Sequence, residues 1–391
     1  MTAPIARLAA AVLCGYVAIG AGIQVLPGAA RERFGAGEWA IGAAVTAASL
    51  AAVVARPLAG RRADERGPRG VVVCGGLLAG AGALGQMLAP SLGWLVVARL
   101  LIGAGEGALF TAAIAWVLSA APPDRRGRIV GRFGLSMWGG LALGPPLGAA
   151  LAAATSTGVV WWACVIASVV PALSVLTAAG GNGREEAARG GRRGAAAGGA
   201  ARGALLPREA LRPGVALALA SFGYGTLNAF LVLRFEAAGF GGASVALGVF
   251  GGAFLLARLV GSPLVDRIRA PALMAGCAVI EAVGLAAIAF APTAAVAFAG
   301  IVLAGLGTAL VYPILATLVA TRADPNERGA AVGALTSSWD LGLALAGPVG
   351  GALGTHGAFG LAAVLALAGG VPRLTVLTGP SIASPPHSRA A

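Results

Sequence analysis

The stretch Arg56–Arg69 (RPLAGRRADERGPR) sets five arginines, an aspartate and a glutamate between two long apolar runs. It has a counterpart later in the chain, Arg258–Asp266 (RLVGSPLVD). Arg258 lies 202 residues after Arg56, and Asp266 lies 202 after Asp64. The same offset carries Arg126-Gly127 onto Arg328-Gly329, Gly131 onto Gly333, and Gly103-x-Gly105 onto Gly305-x-Gly307. A constant offset over so much sequence implies two homologous halves of about 200 residues, so the chain must fold as two like units.

The solvent of those units follows from composition. Hydrophobic residues are 58% and charged residues 11% of the 391, where a soluble domain carries about 25% charge. Lipid therefore surrounds most of the chain. A helix needs about 20 apolar residues to cross a bilayer, and the apolar runs predict twelve spans. They cover roughly 8–28, 39–59, 71–90, 94–119, 129–154, 159–179, 214–235, 243–264, 272–291, 295–320, 329–354 and 357–371. The first run, with Arg7 before it and Gly28-Ala29-Ala30 after it, mimics a secretory signal. With eleven further spans behind it, it reads as an uncleaved helix. Cys14 follows Leu13 rather than a small residue, which speaks against a lipoprotein signal.

All 28 basic residues are arginine, and the formal net charge is +13. With the N-terminus inside, Arg31, Arg33 and Arg234 fall in outer loops, Arg99 falls within a span, and the remaining 24 face the cytoplasm. That asymmetry fixes the orientation, both termini cytoplasmic, by the positive-inside rule. It accounts for the charge without a nucleic-acid partner. Cys14, Cys74, Cys164 and Cys277 stand singly in apolar runs, and His356 and His387 are isolated. No metal, cofactor or nucleophile–base spacing is present, so neither a bound cofactor nor an enzyme is expected.

Along the chain, span 4 holds ARLLIGAGEGALFTA, with Arg99 and Glu106 seven residues apart on one helical face. Gly103-x-Gly105-x-x-Ala108 formally fits a dinucleotide fingerprint but lacks the strand and the βαβ unit that such a site requires. Span 5 carries Gly140-x-x-x-Gly144-Pro145-Pro146-x-Gly148, where proline bends a helix and glycine admits a close neighbour. Residues 181–212, rich in glycine, alanine and arginine, read as a flexible cytoplasmic linker between bundles at 1–180 and 213–379; 380–391 read as a disordered tail. Anionic headgroups are a second partner for the linker's arginines.

These motifs resemble those of the major facilitator superfamily. Gly60-x-x-Ala63-Asp64-x-x-Gly67-x-Arg69 is similar to the family's loop 2–3 motif, with Arg62 and Glu65 departing from it. Arg99-x-x-x-Gly103-x-Gly105-x-Gly107 resembles the span 4 motif. Gly140-x-x-x-Gly144-Pro145-x-x-Gly148 resembles the span 5 motif of proton-exchanging drug and metabolite exporters, ending Gly148-Ala149 where those end Gly-Gly. The resemblance implies an all-α membrane fold of twelve helices in two pseudo-symmetric six-helix halves, working by alternating access as a monomer in the bacterial inner membrane. It places Asp64 against the positive dipole end of span 11, as an inner gate with Gly60, Gly67 and Arg69, and Asp266 likewise against span 5.

Charge within a bilayer marks function. Glu106 with Arg99 is the first candidate for proton coupling: an apolar surrounding favours the neutral acid and a nearby guanidinium the carboxylate. A static Glu–Arg pair joining helices is the competing reading. Asp340, near the start of span 11, is a second candidate for coupling or gating, and Glu281 on the peripheral span 9 a weaker one. Gln24, Tyr224, Asn228, Tyr312 and Trp339 are candidates to contact a small organic substrate. The expected function is proton-coupled export of that molecule. Import by the same fold is the first alternative, and a non-transporting membrane sensor or scaffold the second.

Overall fold

The computed structural model describes residues 3–120, 126–177, 208–322 and 328–371, and among these every regular element is helical. The expected linker and tail lie outside the described residues. Helices are the outcome because a backbone crossing lipid must satisfy its own hydrogen bonds. Spans 1 to 6 are Ala3–Phe34, Glu38–Arg66, Pro68–Met87, Leu92–Ala120, Arg126–Ala154 and Thr157–Thr177. Spans 7 to 9 are Arg208–Ala237, Ala243–Arg267 and Ala270–Ala289. Span 10 consists of two helices, Ala294–Ala309 and Val311–Arg322, and a last helix, Arg328–Gly369, holds spans 11 and 12.

Three boundaries differ from the sequence reading, each for a physical reason. The charged stretch after Arg56 is not a hairpin loop: span 2 stays helical through Arg66 and turns only at Gly67, whose φ of 85° suits glycine, before Pro68 starts span 3. Span 10 breaks at Leu310 because Pro313 has no N–H for the Ala309 carbonyl. Arg258 of span 8 donates to that carbonyl instead, at 3.1 Å. Spans 11 and 12 meet without a loop at Gly354 (φ 71°, ψ 166°). The chain reverses there: both Gly342 and Gly369 pack on residues 216–221 of span 7. Among the described residues, and with the two helices of span 10 taken together, eleven helical segments are long and apolar enough to cross a membrane, and the reversal at Gly354 makes twelve passes of them.

The bundle's exterior is apolar, with Val54, Trp162, Ile166, Val260 and Val364 more than half exposed, the pattern of a lipid-facing surface. Close crossings inside it use glycine, and they recur 202 residues on. Gly105 lies on Gly75 and Ala79, and Gly307 lies on Cys277 and Glu281. Gly103 meets the carbonyl of Ala48, and Gly305 that of Phe250. Gly140 sits on Leu13 and Tyr16, and Gly342 on Ala218 and Ser221.

Candidate functional site

The halves touch along spans 2 and 11 and along spans 5 and 8. At the end carrying residues 35–37, Arg31 pairs with Glu236 at 3.0 Å, and the Thr355 N–H donates to Glu38 Oε2 at 2.9 Å. Below them Gly42 and Gly347 are in backbone contact, and Gly351 packs on Trp39. Pro146 of span 5 lies on Gly248 of span 8, and Ala142 on Gly251. These contacts close one end of the interface between the halves.

Deeper in, the interface turns aromatic. Trp138 of span 5 meets Phe254 (ring centroids 4.7 Å apart), Trp339 (5.5 Å) and Tyr224 (6.3 Å). Tyr224 in turn contacts Phe250 and Trp339, each at 5.5 Å. The Arg258 guanidinium lies 5.2 Å from the Trp138 ring. A recess lined by Trp138, Pro145, Tyr224, Asn228, Phe250 and Phe254 opens here, and its water-accessible volume is about 10 Å³, room for one water. Two of the substrate candidates, Tyr224 and Asn228, line it, the Asn228 amide donating to the Tyr224 carbonyl at 2.9 Å. Trp339 does not line it but packs against Trp138 and Tyr224, which do. Tyr312 stands apart, its hydroxyl 2.9 Å from that of Thr336, and Gln24 is buried in the first half with Oε1 unpartnered.

A second ion pair between the halves, more deeply buried than Arg31–Glu236, lies here. Arg56 Nε donates to Asp340 Oδ2 at 2.6 Å and Nη2 to Oδ1 at 3.3 Å, with both side chains largely buried. Its relation to Trp138 is one of symmetry. Arg258 is the repeat counterpart of Arg56, and Asp340 lies 202 residues after Trp138. Each half thus sends an arginine from its second span to the same position on the fifth span of the other half; one meets a carboxylate, the other an indole. The sequence reading passed over both Arg56 and Trp138 as functional residues. The offset that revealed the repeat also marks both positions.

Span 4 separates the two residues that sequence reasoning joined. Arg99 turns to span 2, donating to the carbonyls of Ala44 (3.2 Å) and Val45 (2.7 Å), and neither a hydrogen bond nor an ion pair joins it to Glu106. The static Glu–Arg pair is therefore not formed. Glu106 faces a crevice inside the first half, among Tyr16, Ala79, Leu109, Ser168 and Pro171, and not the aromatic recess. Its Oε1 has no hydrogen-bond partner. Arg99, Arg56 and Asp340 are the charges that act on it, and Gly107, the next residue of span 4, packs on the Arg56 side chain.

The span 5 motif and the gate candidates complete the set. Gly140, Gly144 and Gly148 form one stripe against span 1, while Pro145 faces the recess and reaches Gly20. Gly60 lies beside Thr111, Gly67 makes the turn, and Arg69 donates to the Val175 carbonyl at 3.3 Å. The side chains of Asp64 and Asp266 lie outside the described residues.

Comparison with known proteins supplies the wider frame. The model of the Major Facilitator Superfamily matches residues 8–234 and 213–390. An uncharacterized MFS-type transporter of Burkholderia mallei (strain SAVP1) is 32% identical over 375 residues, covering 93% of this chain and 89% of the relative. One from Salmonella typhimurium is 30% identical over 377 residues, covering 93% and 94%. Among solved structures, the partially occluded inward-open xylose transporter XylE of E. coli superposes with a TM-score of 0.73 at 13% identity, covering 94% of this chain and 97% of XylE. The nucleoside transporter NupG superposes at 0.72 with 15% identity (94% and 98% covered). The human organic anion transporter MFSD10 superposes at 0.70 with 18% identity (95% and 98% covered).

Proposed function

Because the chain belongs to the Major Facilitator Superfamily, and so is a multi-pass membrane transporter rather than an enzyme, we propose that it exports a small organic molecule in exchange for protons. The reading rests on one observation above others: Glu106, half-buried with an unpartnered buried Oε1, lies within electrostatic reach of the Arg56–Asp340 pair that joins the halves. When Glu106 is neutral, Arg56 belongs to Asp340 and the halves are latched. When Glu106 is ionised it competes for Arg56 and loosens that latch. Binding and loss of a proton then bias which face is open, the differential interaction that alternating access requires. Arg99 serves the same machinery by fixing span 2, which carries Arg56, to span 4, which carries Glu106. Tyr224, Asn228 and Trp339, with Trp138, supply a mainly aromatic surface for an apolar or amphipathic substrate.

Glu106→Gln mimics the neutral acid. In proteoliposomes it should lose export driven by a proton gradient by at least tenfold while retaining substrate binding and gradient-independent exchange. Full coupled transport by a well-folded variant would remove Glu106 from the mechanism. The direction also depends on orientation, and the arginine distribution supports both termini inside. Thiol labelling of intact cells checks it. Gly93→Cys, at an open position in the first turn of span 4, should react from outside, and Gly191→Cys should not. The reverse pattern overturns the orientation.

A further inference from the structure

The acid that this scheme leaves unused is Glu281. It is fully buried in span 9, and neither carboxyl oxygen has a hydrogen-bond partner. The repeat gives it a context. Thr308 lies 202 residues after Glu106, and Ala79 lies 202 before Glu281. Glu106 of span 4 faces Ala79 of span 3, and Glu281 of span 9 stands next to Thr308 of span 10. Each half therefore places one carboxyl at the same crossing of its third and fourth spans, contributed from opposite members of the pair.

The surroundings decide which form of Glu281 they accept. Span 7 presents Gly223, and a Cβ there would come within 2.8 Å of Oε1, so glycine makes room for the carboxyl. Span 10 presents Gly307 and Thr308, whose hydroxyl spends its hydrogen on the Ala304 carbonyl at 2.8 Å. With that bond made, the Thr308 oxygen offers lone pairs to a carboxylic acid; its hydroxyl serves a carboxylate only by giving up the Ala304 carbonyl. Cys277, one turn earlier on span 9, is the nearest titratable neighbour; spans 7, 8, 10, 11 and 12 bring no charged side chain to it among the described residues. An ionised carboxylate in such a place is a buried charge without compensation, whereas the acid is a polar group with an acceptor beside it.

We propose that Glu281 is a second proton-binding site, carried by the second half. It holds a proton while spans 7, 9 and 10 are packed as here and releases it when movement of span 7 admits water. The site packs on Gly223, the residue before Tyr224 in span 7, so its occupancy is tied to the helix that carries one wall of the recess. The inference builds on proton-coupled transport, but its test does not need transport to occur.

Infrared difference spectra of the full chain in lipid nanodiscs, taken from acidic to alkaline pH, read the site directly. The wild type should show a protonated-carboxyl carbonyl band that is missing in Glu281→Gln and shifted in Thr308→Val, and that sodium chloride in place of choline chloride does not change. Superimposable spectra of wild type and a folded Glu281→Gln overturn the proposal. A band that sodium abolishes also overturns it, assigning the site to a metal cation instead. Should Glu281→Gln not fold, Thr308→Val decides: an unshifted band overturns the proposal. Failure of Glu106→Gln to affect flux would leave this result standing, so the two readings fail separately.

Discussion

Gly103→Ala should leave little folded protein. A Cβ at Gly103 would run into the Ala48 carbonyl, which is helix backbone and cannot rotate away. One turn along, Arg99 holds span 2 in place by donating to the carbonyls of Ala44 and Val45, so the crossing cannot open without breaking those bonds. Overpacking a tight interior costs about 1–3 kcal/mol, and two rigid backbones put this site at about 3 kcal/mol or more. Each 1.4 kcal/mol or so is a factor of ten in an equilibrium constant, so the folding constant should fall by about a hundredfold, and a marginally stable membrane protein loses most of its folded yield. Size-exclusion profiles of a fluorescent fusion in mild detergent measure it. Gly252→Ala is the control, since nothing lies within 4 Å of a Cβ there. A normal profile and thermal stability for Gly103→Ala would mean that spans 2 and 4 can separate at this point, and that Arg99 is no anchor.

The contrast between Gly103 and Arg99 shows which features the sequence made legible. Hydropathy locates spans because a lipid-crossing backbone has few options, and small residues at fixed spacing announce a close crossing. The glycine pattern of span 5 accordingly pointed to a close neighbour, though not to span 1 as that neighbour, and the glycines of span 4 were not read as packing at all. Polar side chains were harder. Arg99 and Glu106 share a helical face in sequence, yet the carbonyls of span 2 offered Arg99 a nearer set of acceptors than an acid two turns away. Arg56 was read as part of a charged loop, because charge density looks alike in a loop and in a helix that runs past the lipid. Its partner depends on how two halves dock, and no local pattern encodes that. The repeat does encode it in part: a residue found at one half's interface marks its counterpart 202 positions away, and Trp138 and Asp340 are such a pair.

That pair leads to the second large effect. Asp340→Asn keeps the side-chain shape but leaves the buried Arg56 guanidinium without its carboxylate. Breaking a buried pair by removing one partner costs about 3–5 kcal/mol. The counterpart contact, Arg258 over the Trp138 ring, is worth about 0.5–2 kcal/mol. The two symmetry-related joints between the halves are therefore unequal, and Asp340→Asn should impair transport far more than Trp138→Leu does. The expected loss is at least tenfold for Asp340→Asn, measured as flux per folded protein in proteoliposomes. Exchanging the charges in Arg56→Asp/Asp340→Arg should recover part of it, because attraction survives reversal of sign even where the bidentate geometry does not. A spacer pair on spans 2 and 11, followed by distance measurements between attached labels, should show the halves further apart in Asp340→Asn and restored in the exchanged pair. If the single variant transports normally with unchanged distances, the ion pair is incidental to this conformation. The link from Glu106 through Arg56 to the opposite half would then have to run through the span 4–span 2 anchor alone.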